Sequence, residues 1–151
     1  MATLRSAPYS LLQGTIVKAV IKAQNINGWS SFSFPNSTGA FVEYVPAQMN
    51  TPTNGLTTNE LQIQVNWAAL TGVNTGGSTI TSYNLQYDSG SAGYVWTNVL
   101  GIIPQFTGLT TVLSSNIVKG TTYQFRIKAS NIHGWGPFSN VVSIKTATIP
   151  S

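Results

Sequence analysis

The residues able to do chemistry are few, and their spacing keeps them apart. His133 is the single histidine, and the acids are Glu43, Glu60 and Asp88. General acid–base catalysis needs titratable groups paired within hydrogen-bond reach. A structural or catalytic metal needs three or four converging ligands. His133 falls in a turn, and the corresponding place in an internal repeat holds Asn27. Neither chemistry therefore has a second participant. The chain has no cysteine, which excludes disulfides, thiolate metal sites and a cysteine nucleophile. The expectation is no catalytic residue, no metal and no cofactor.

What remains for function is aromatic and polar. Trp29 and Trp135 each follow a turn glycine, and exposed rings of this kind suit a carbohydrate platform. The competing reading is packing over the end of each domain or against a neighbour, and recurrence at the same place in both copies favours it. Tyr94 and Trp96, in a loop, carry the same two readings. Phe41 takes an outward strand position that Lys145 holds in the second copy, which marks it as a candidate inter-domain contact. Asn36-Ser-Thr38 is an N-glycosylation acceptor in a loop, usable if the chain is secreted. No Arg-Gly-Asp tripeptide is present.

Composition narrows the partners. Charged residues are only 7% of the chain, against about a quarter in ordinary domains. The net charge of +4 comes from seven cations and three acids, and Lys18, Lys22, Arg126 and Lys128 form no dense run. Nucleic-acid binders carry a clustered basic stripe, so no nucleic-acid partner is expected. No apolar run approaches the ~20 residues of a membrane span, so no membrane insertion is expected. The opening Met-Ala-Thr-Leu-Arg-Ser-Ala-Pro has no continuous apolar core of a signal peptide. If the protein is secreted, the signal lies on a longer precursor or has been removed.

The elements that position these residues come from a repeat. Lys22-Ala-Gln-Asn-Ile-Asn-Gly-Trp29 returns as Lys128-Ala-Ser-Asn-Ile-His-Gly-Trp135, a separation of 106 positions. Gly14-Thr-Ile-Val and Gly120-Thr-Thr-Tyr precede the two copies. A period of this length is the size of a small domain. Val17, Ala19, Ile21 and Ala23 alternate with polar residues, as do Leu61, Ile63, Val65 and Trp67, then Tyr83, Leu85 and Tyr87, and Tyr123, Phe125, Ile127 and Ala129. Period-two alternation with turn signals every eight to twelve residues predicts an all-β, immunoglobulin-like antiparallel sandwich. No stretch argues for a helix. Residues 46–55, with two prolines, read as a linker that becomes an edge strand.

In that order these motifs resemble a fibronectin type III domain. The Trp67 strand, Ile80-Thr-Ser-Tyr-Asn-Leu-Gln-Tyr87 and Gly120-Thr-Thr-Tyr-Gln-Phe-Arg-Ile-Lys-Ala-Ser-Asn131 match the family's B, C and F strands. His133-Gly-Trp-Gly-Pro-Phe-Ser139 is similar to its turn into the last strand. The resemblance implies that Trp67 is the core tryptophan and that Tyr123 ties a neighbouring corner through its hydroxyl. Residues 47–151 resemble a complete domain. Residues 1–46 resemble only the last three strands (E, F and G) of a preceding one, with Val17 where Tyr123 stands.

The function so implied is structural: a non-enzymatic, adhesive module of a tandem array in an extracellular or cell-surface protein. The partners expected are neighbouring copies of the repeat, as a homo-oligomer or filament built through the incomplete first domain. A carbohydrate-binding module, or an accessory domain of a secreted hydrolase, is the alternative.

Overall fold

Alternation of apolar and polar side chains is the local rule of this chain, because successive strand residues point to opposite faces. The computed structural model describes residues 2–147 and falls into two compact units, Met1–Tyr44 and Val45–Ser151. The first unit opens with one helical turn, α1 (Ala2–Arg5), followed by β1 (Ile16–Val17), β2 (Gln24–Asn25), β3 (Gly28–Trp29) and β4 (Ala40–Phe41). The second contains β5 (Thr53–Asn54), β6 (Ile63–Asn66), β7 (Ser82–Tyr87), β8 (Thr97–Leu100), β9 (Thr110–Leu113), β10 (Thr122–Asn131), β11 (Gly134–Trp135) and β12 (Val142–Lys145).

All strand pairs in the second unit are antiparallel. One sheet has the order β5-β6-β9; the other has the order β11-β10-β7-β8, with β12 also paired to β10. The ten-residue β10 is the hub of the larger sheet. Its inward positions Tyr123, Phe125, Ile127 and Ala129 are at most 2% exposed and meet Ile63, Val65, Trp67 and Leu113 of the facing sheet in one core. This is the β-sandwich that the alternation predicts. Trp67 sits 6.3 Å from the Tyr83 ring and 6.2 Å from Phe106, and Tyr87 stacks on Tyr123 and Phe125.

Three expectations are corrected here. Leu61 does not face inward with Ile63; it is 69% exposed. The Asn59 side-chain carbonyl accepts the N–H groups of Leu61 and Gln62, so a turn occupies these residues and the strand starts later. The linker part of 46–55 is packed into the second unit rather than standing outside it, Pro46, Met49 and Pro52 being buried and Ala47 N–H donating to the Asn74 carbonyl, while its end forms the expected edge strand β5. Prolines serve at such an edge because they have no N–H to leave unpaired. Helical turns also occur, α1 and a 3-10 turn at Gly72–Thr75, too short for a helical period to register.

The outward face of β7 is buried as well. Ser82 donates to the Gly101 carbonyl and accepts from Phe106 N–H, which pins the loop after β8 onto the sheet. Gly101 has φ +90°, and a Cβ there would lie 1.8 Å from the Tyr83 carbonyl oxygen. Among the described residues, two buried polar atoms, Trp67 Nε1 and Asn84 Oδ1, have no hydrogen-bond partner.

The first unit repeats the strands of the second in register. Ile16 pairs with Phe41 and Val17 with Ala40, as Thr122 pairs with Lys145 and Tyr123 with Ile144. Ile16 and Thr122 are 106 positions apart, Phe41 and Lys145 only 104, so the first copy holds two extra residues before β4. The serine that follows the turn is equivalent too. Ser33 N–H donates to Ile21 O and its Oγ accepts Ile21 N–H, and Ser139 does the same with Ile127. A side-chain oxygen thus replaces a strand carbonyl in both. The inward face differs: Val17 is half-buried, whereas Ala19, Ile21 and Ala23 are exposed, Ile21 by 74%.

Candidate functional site

Strand β10 carries Arg126 and Lys128 on its outward face, two residues apart, opposite Gln86 and Asn84 of β7. Aromatic rings from three other segments converge on these cations. The Arg126 guanidinium lies 4.1 Å from the centroids of both Trp96 and Phe138, and its Nε donates to Gln86 Oε1 at 2.9 Å. The Lys128 ammonium lies 4.5 Å from Phe138 and 5.0 Å from Trp135. The result is a ladder, Trp96–Arg126–Phe138–Lys128–Trp135, in which each cation meets the negative face of two rings. Burial lowers the pKa of Arg126. Burial, and then the charge of Arg126, lowers that of Lys128.

Half of this arrangement recurs in the first unit. Lys22 lies 4.5 Å from Trp29 and 5.0 Å from Phe32, positions equivalent to Lys128, Trp135 and Phe138. Trp29 is 58% exposed and Trp135 half-buried, and each has a lysine over one ring face. Phe41 is exposed and paired with Ile16. Asn36 is half-buried with both ends of its amide engaged, Oδ1 by Ala19 N–H and Nδ2 by the Thr38 carbonyl. His133 is exposed and its Nε2 lies 3.2 Å from Ser78 Oγ. Among the described residues, no group of three metal-ligating side chains comes together. Among the described residues, no helix is long and apolar enough to cross a membrane.

Trp67 and Tyr123 lie in the core, 6% and 2% exposed. The Tyr123 hydroxyl accepts Val118 N–H at 2.9 Å and donates to the Asn116 carbonyl at 3.2 Å, closing the corner before β10. Tyr123→Phe leaves that N–H without its acceptor, and we expect a loss of about 1–2 kcal/mol. A thermal melt should show a drop of several degrees; an unchanged midpoint would remove the corner bond from the account.

Sequence reasoning missed two features. Trp96 meets Arg126 only through folding, so no spacing rule finds it. Asp88 is fully buried and accepts N–H bonds from Gly90, Gly93 and Gln124. The Gly90 and Gly93 turn beside it was the available hint.

A family model described as "Fibronectin type III domain" matches residues 46–145. The chain belongs to the fibronectin type III family. Solved structures agree. The sixth fibronectin type III domain of human fibronectin type III domain containing protein 3 is 26% identical, with TM-score 0.56, over 77% of this chain and 98% of its own. A fourth human FNIII domain is 18% identical, with TM-score 0.59, over 70% of this chain and 84% of its own. Titin domains A168–A170 are 20% identical, with TM-score 0.57, over 91% of this chain and 43% of theirs. No curated protein sequence matches the chain. Fibronectin type III domains are common structural and adhesion modules, generally non-catalytic. They are frequent in extracellular and cell-surface proteins and also occur in intracellular ones such as titin.

Proposed function

We propose that this chain is a non-enzymatic structural and adhesive segment of a tandem fibronectin type III array at the cell surface or outside the cell. Its first unit is completed by a sheet from another copy of the repeat. One observation carries the reading. The strands around Val17–Ala23 reproduce the register and serine bonds of 123–129, yet Ala19, Ile21 and Ala23 are exposed where the equivalent Phe125, Ile127 and Ala129 are buried, and only Val42 beside them is fully covered.

The physical argument is burial. Each Å² of apolar surface removed from water contributes about 25 cal/mol, and a few strands with one bare apolar face are marginal on their own. The partner that fits is a sheet patterned like β5-β6-β9, whose Ile63, Val65 and Leu113 cover the equivalent face in the second unit. Donation of such a sheet from chain to chain is heterologous and, repeated, gives a filament rather than a closed ring.

Sedimentation of the 151-residue chain should therefore show concentration-dependent association, with amides of Val17–Ala23 gaining protection from exchange as it assembles. A monomer at all concentrations with those amides already protected would overturn the proposal.

A further inference from the structure

The inward face of the first unit is not open along its whole length. Val17 pairs with Ala40, so alternation places Val42 and Tyr44 on the same side. Val42 is fully buried and Tyr44 half-buried, while Ala19, Ile21 and Ala23 are exposed. The covered end is where residues 4–13 are tied down. The Tyr44 hydroxyl donates to the Leu11 carbonyl at 2.9 Å, and the Arg5 guanidinium lies 4.5 Å from the centroid of the Tyr44 ring. Leu11 N–H donates to the Leu4 carbonyl, and Tyr9 and Ser10 N–H both donate to the Ser6 carbonyl, so the segment closes its own bonds. Leu4 and Leu11 are half-buried. Gly14 N–H donates to the Val42 carbonyl and anchors the far end.

The second unit shows what the equivalent segment does beside a sheet. The repeat sets Gly14 against Gly120. Upstream of Gly120 stands β9, paired over four residues with β6. Upstream of Gly14, where the family resemblance expects an E strand, stands the helical turn α1. Strand backbone needs a partner for its N–H and C=O groups. Among the described residues the first unit has no strand equivalent to β6. Its upstream segment therefore curls to satisfy itself and leans on Tyr44.

We infer that residues 2–13 are a strap that closes the Val42–Tyr44 end of the apolar face and must let go before a donated sheet seats there. This rests on the assembly proposed above and supplies its control. Arg5 and Tyr44 form the latch. Arg5 is exposed, so the latch opens without burying or stranding a charge. An arriving strand like β6 offers the backbone partner that α1 lacks, and the released segment then pairs with it as β9 pairs with β6.

The test compares the whole chain with Tyr44→Phe, Arg5→Gln and the double variant, first at a dilution where all are monomeric. Two readouts are used: amide exchange at Tyr9, Ser10 and Leu11, and binding of anilinonaphthalene sulfonate, a dye for exposed apolar surface. Strap exchange should rise roughly two- to tenfold in Tyr44→Phe, the range of one lost hydrogen bond. In Arg5→Gln it should rise roughly two- to fivefold, the range of an exposed cation–π contact. Dye binding should rise with both, and Arg5→Lys, which keeps the cation, should stay near wild type. Amides of Ser30 and Ser33, bonded to Ala23 and Ile21, should not change, because the strap opens and the hairpin stays. Unchanged strap exchange or dye binding in the double variant would overturn the proposal, as would loss of hairpin protection along with the strap. At higher concentration the variants should associate severalfold more readily than wild type, and an identical concentration dependence would also overturn it. Absence of association in every form would sink the assembly reading and the control of it, while the dilute measurements still show whether residues 2–13 cover the face.

Discussion

Trp67→Ala is expected to destabilise the second unit by about 3–5 kcal/mol, the usual cost of truncating a buried large aromatic. The ring is 6% exposed and touches Tyr83 and Phe106, so its removal leaves a cavity between the sheets. At roughly 4–8 °C per kcal/mol for a domain of about a hundred residues, the midpoint should fall by well over ten degrees. Trp67→Phe is expected to be far milder. It loses volume, but it also removes an indole N–H that is buried without an acceptor, a defect that itself costs about 1–3 kcal/mol. Thermal melts of the two variants decide the matter. A Trp67→Ala midpoint within about two degrees of wild type would take this residue out of the core.

Asp88→Ala should rival that effect without touching the apolar core. Oδ1 accepts Gly90 N–H at 3.0 Å and Gln124 N–H at 2.9 Å, and Oδ2 accepts Gly93 N–H at 3.0 Å. The turn after β7 and the start of β10 are thereby tied to one fully buried carboxylate. Truncation leaves three backbone donors unpaired. With each buried orphan costing about 1–3 kcal/mol, a total of about 3–5 kcal/mol is expected after partial rescue by water. Asp88→Asn keeps one acceptor oxygen and should lie between the two. Urea unfolding of both variants measures this; values within about 0.5 kcal/mol of wild type would show that the carboxylate is not organising the turn.

Sandwich and repeat were both legible because they rest on spacing. Ile63, Val65 and Trp67 had to share a face, and the 106-position repeat reappears as the matched strand pairs Ile16–Phe41 and Thr122–Lys145. What spacing cannot give is where a pattern stops. Leu61 continues the alternation perfectly, yet Asn59 bends the chain through it. Nor does alternation separate an outward position from a wet one. Asp88 and Asn84 both alternate out of the core, and both are fully buried, Asn84 bonded to Asn98 and Leu100 of β8 and Asp88 to the Gly90–Gly93 turn and Gln124. The ladder was half legible: Lys128 and Trp135 stood out through their repetition, while Trp96 reaches Arg126 from a separate loop and leaves no trace in local sequence.

The ladder also governs how the molecule reports on itself optically. Of the four tryptophans, Trp29, Trp96 and Trp135 each lie within about 5 Å of a cation, and only Trp67 is enclosed between the sheets. Intrinsic fluorescence is therefore dominated in number by surface indoles whose emission answers to a neighbouring charge. A fluorescence trace could change when a lysine side chain swings away while the sandwich stays intact. Unfolding followed by emission and by far-ultraviolet circular dichroism would then part company, with the native fold still in place at the first transition.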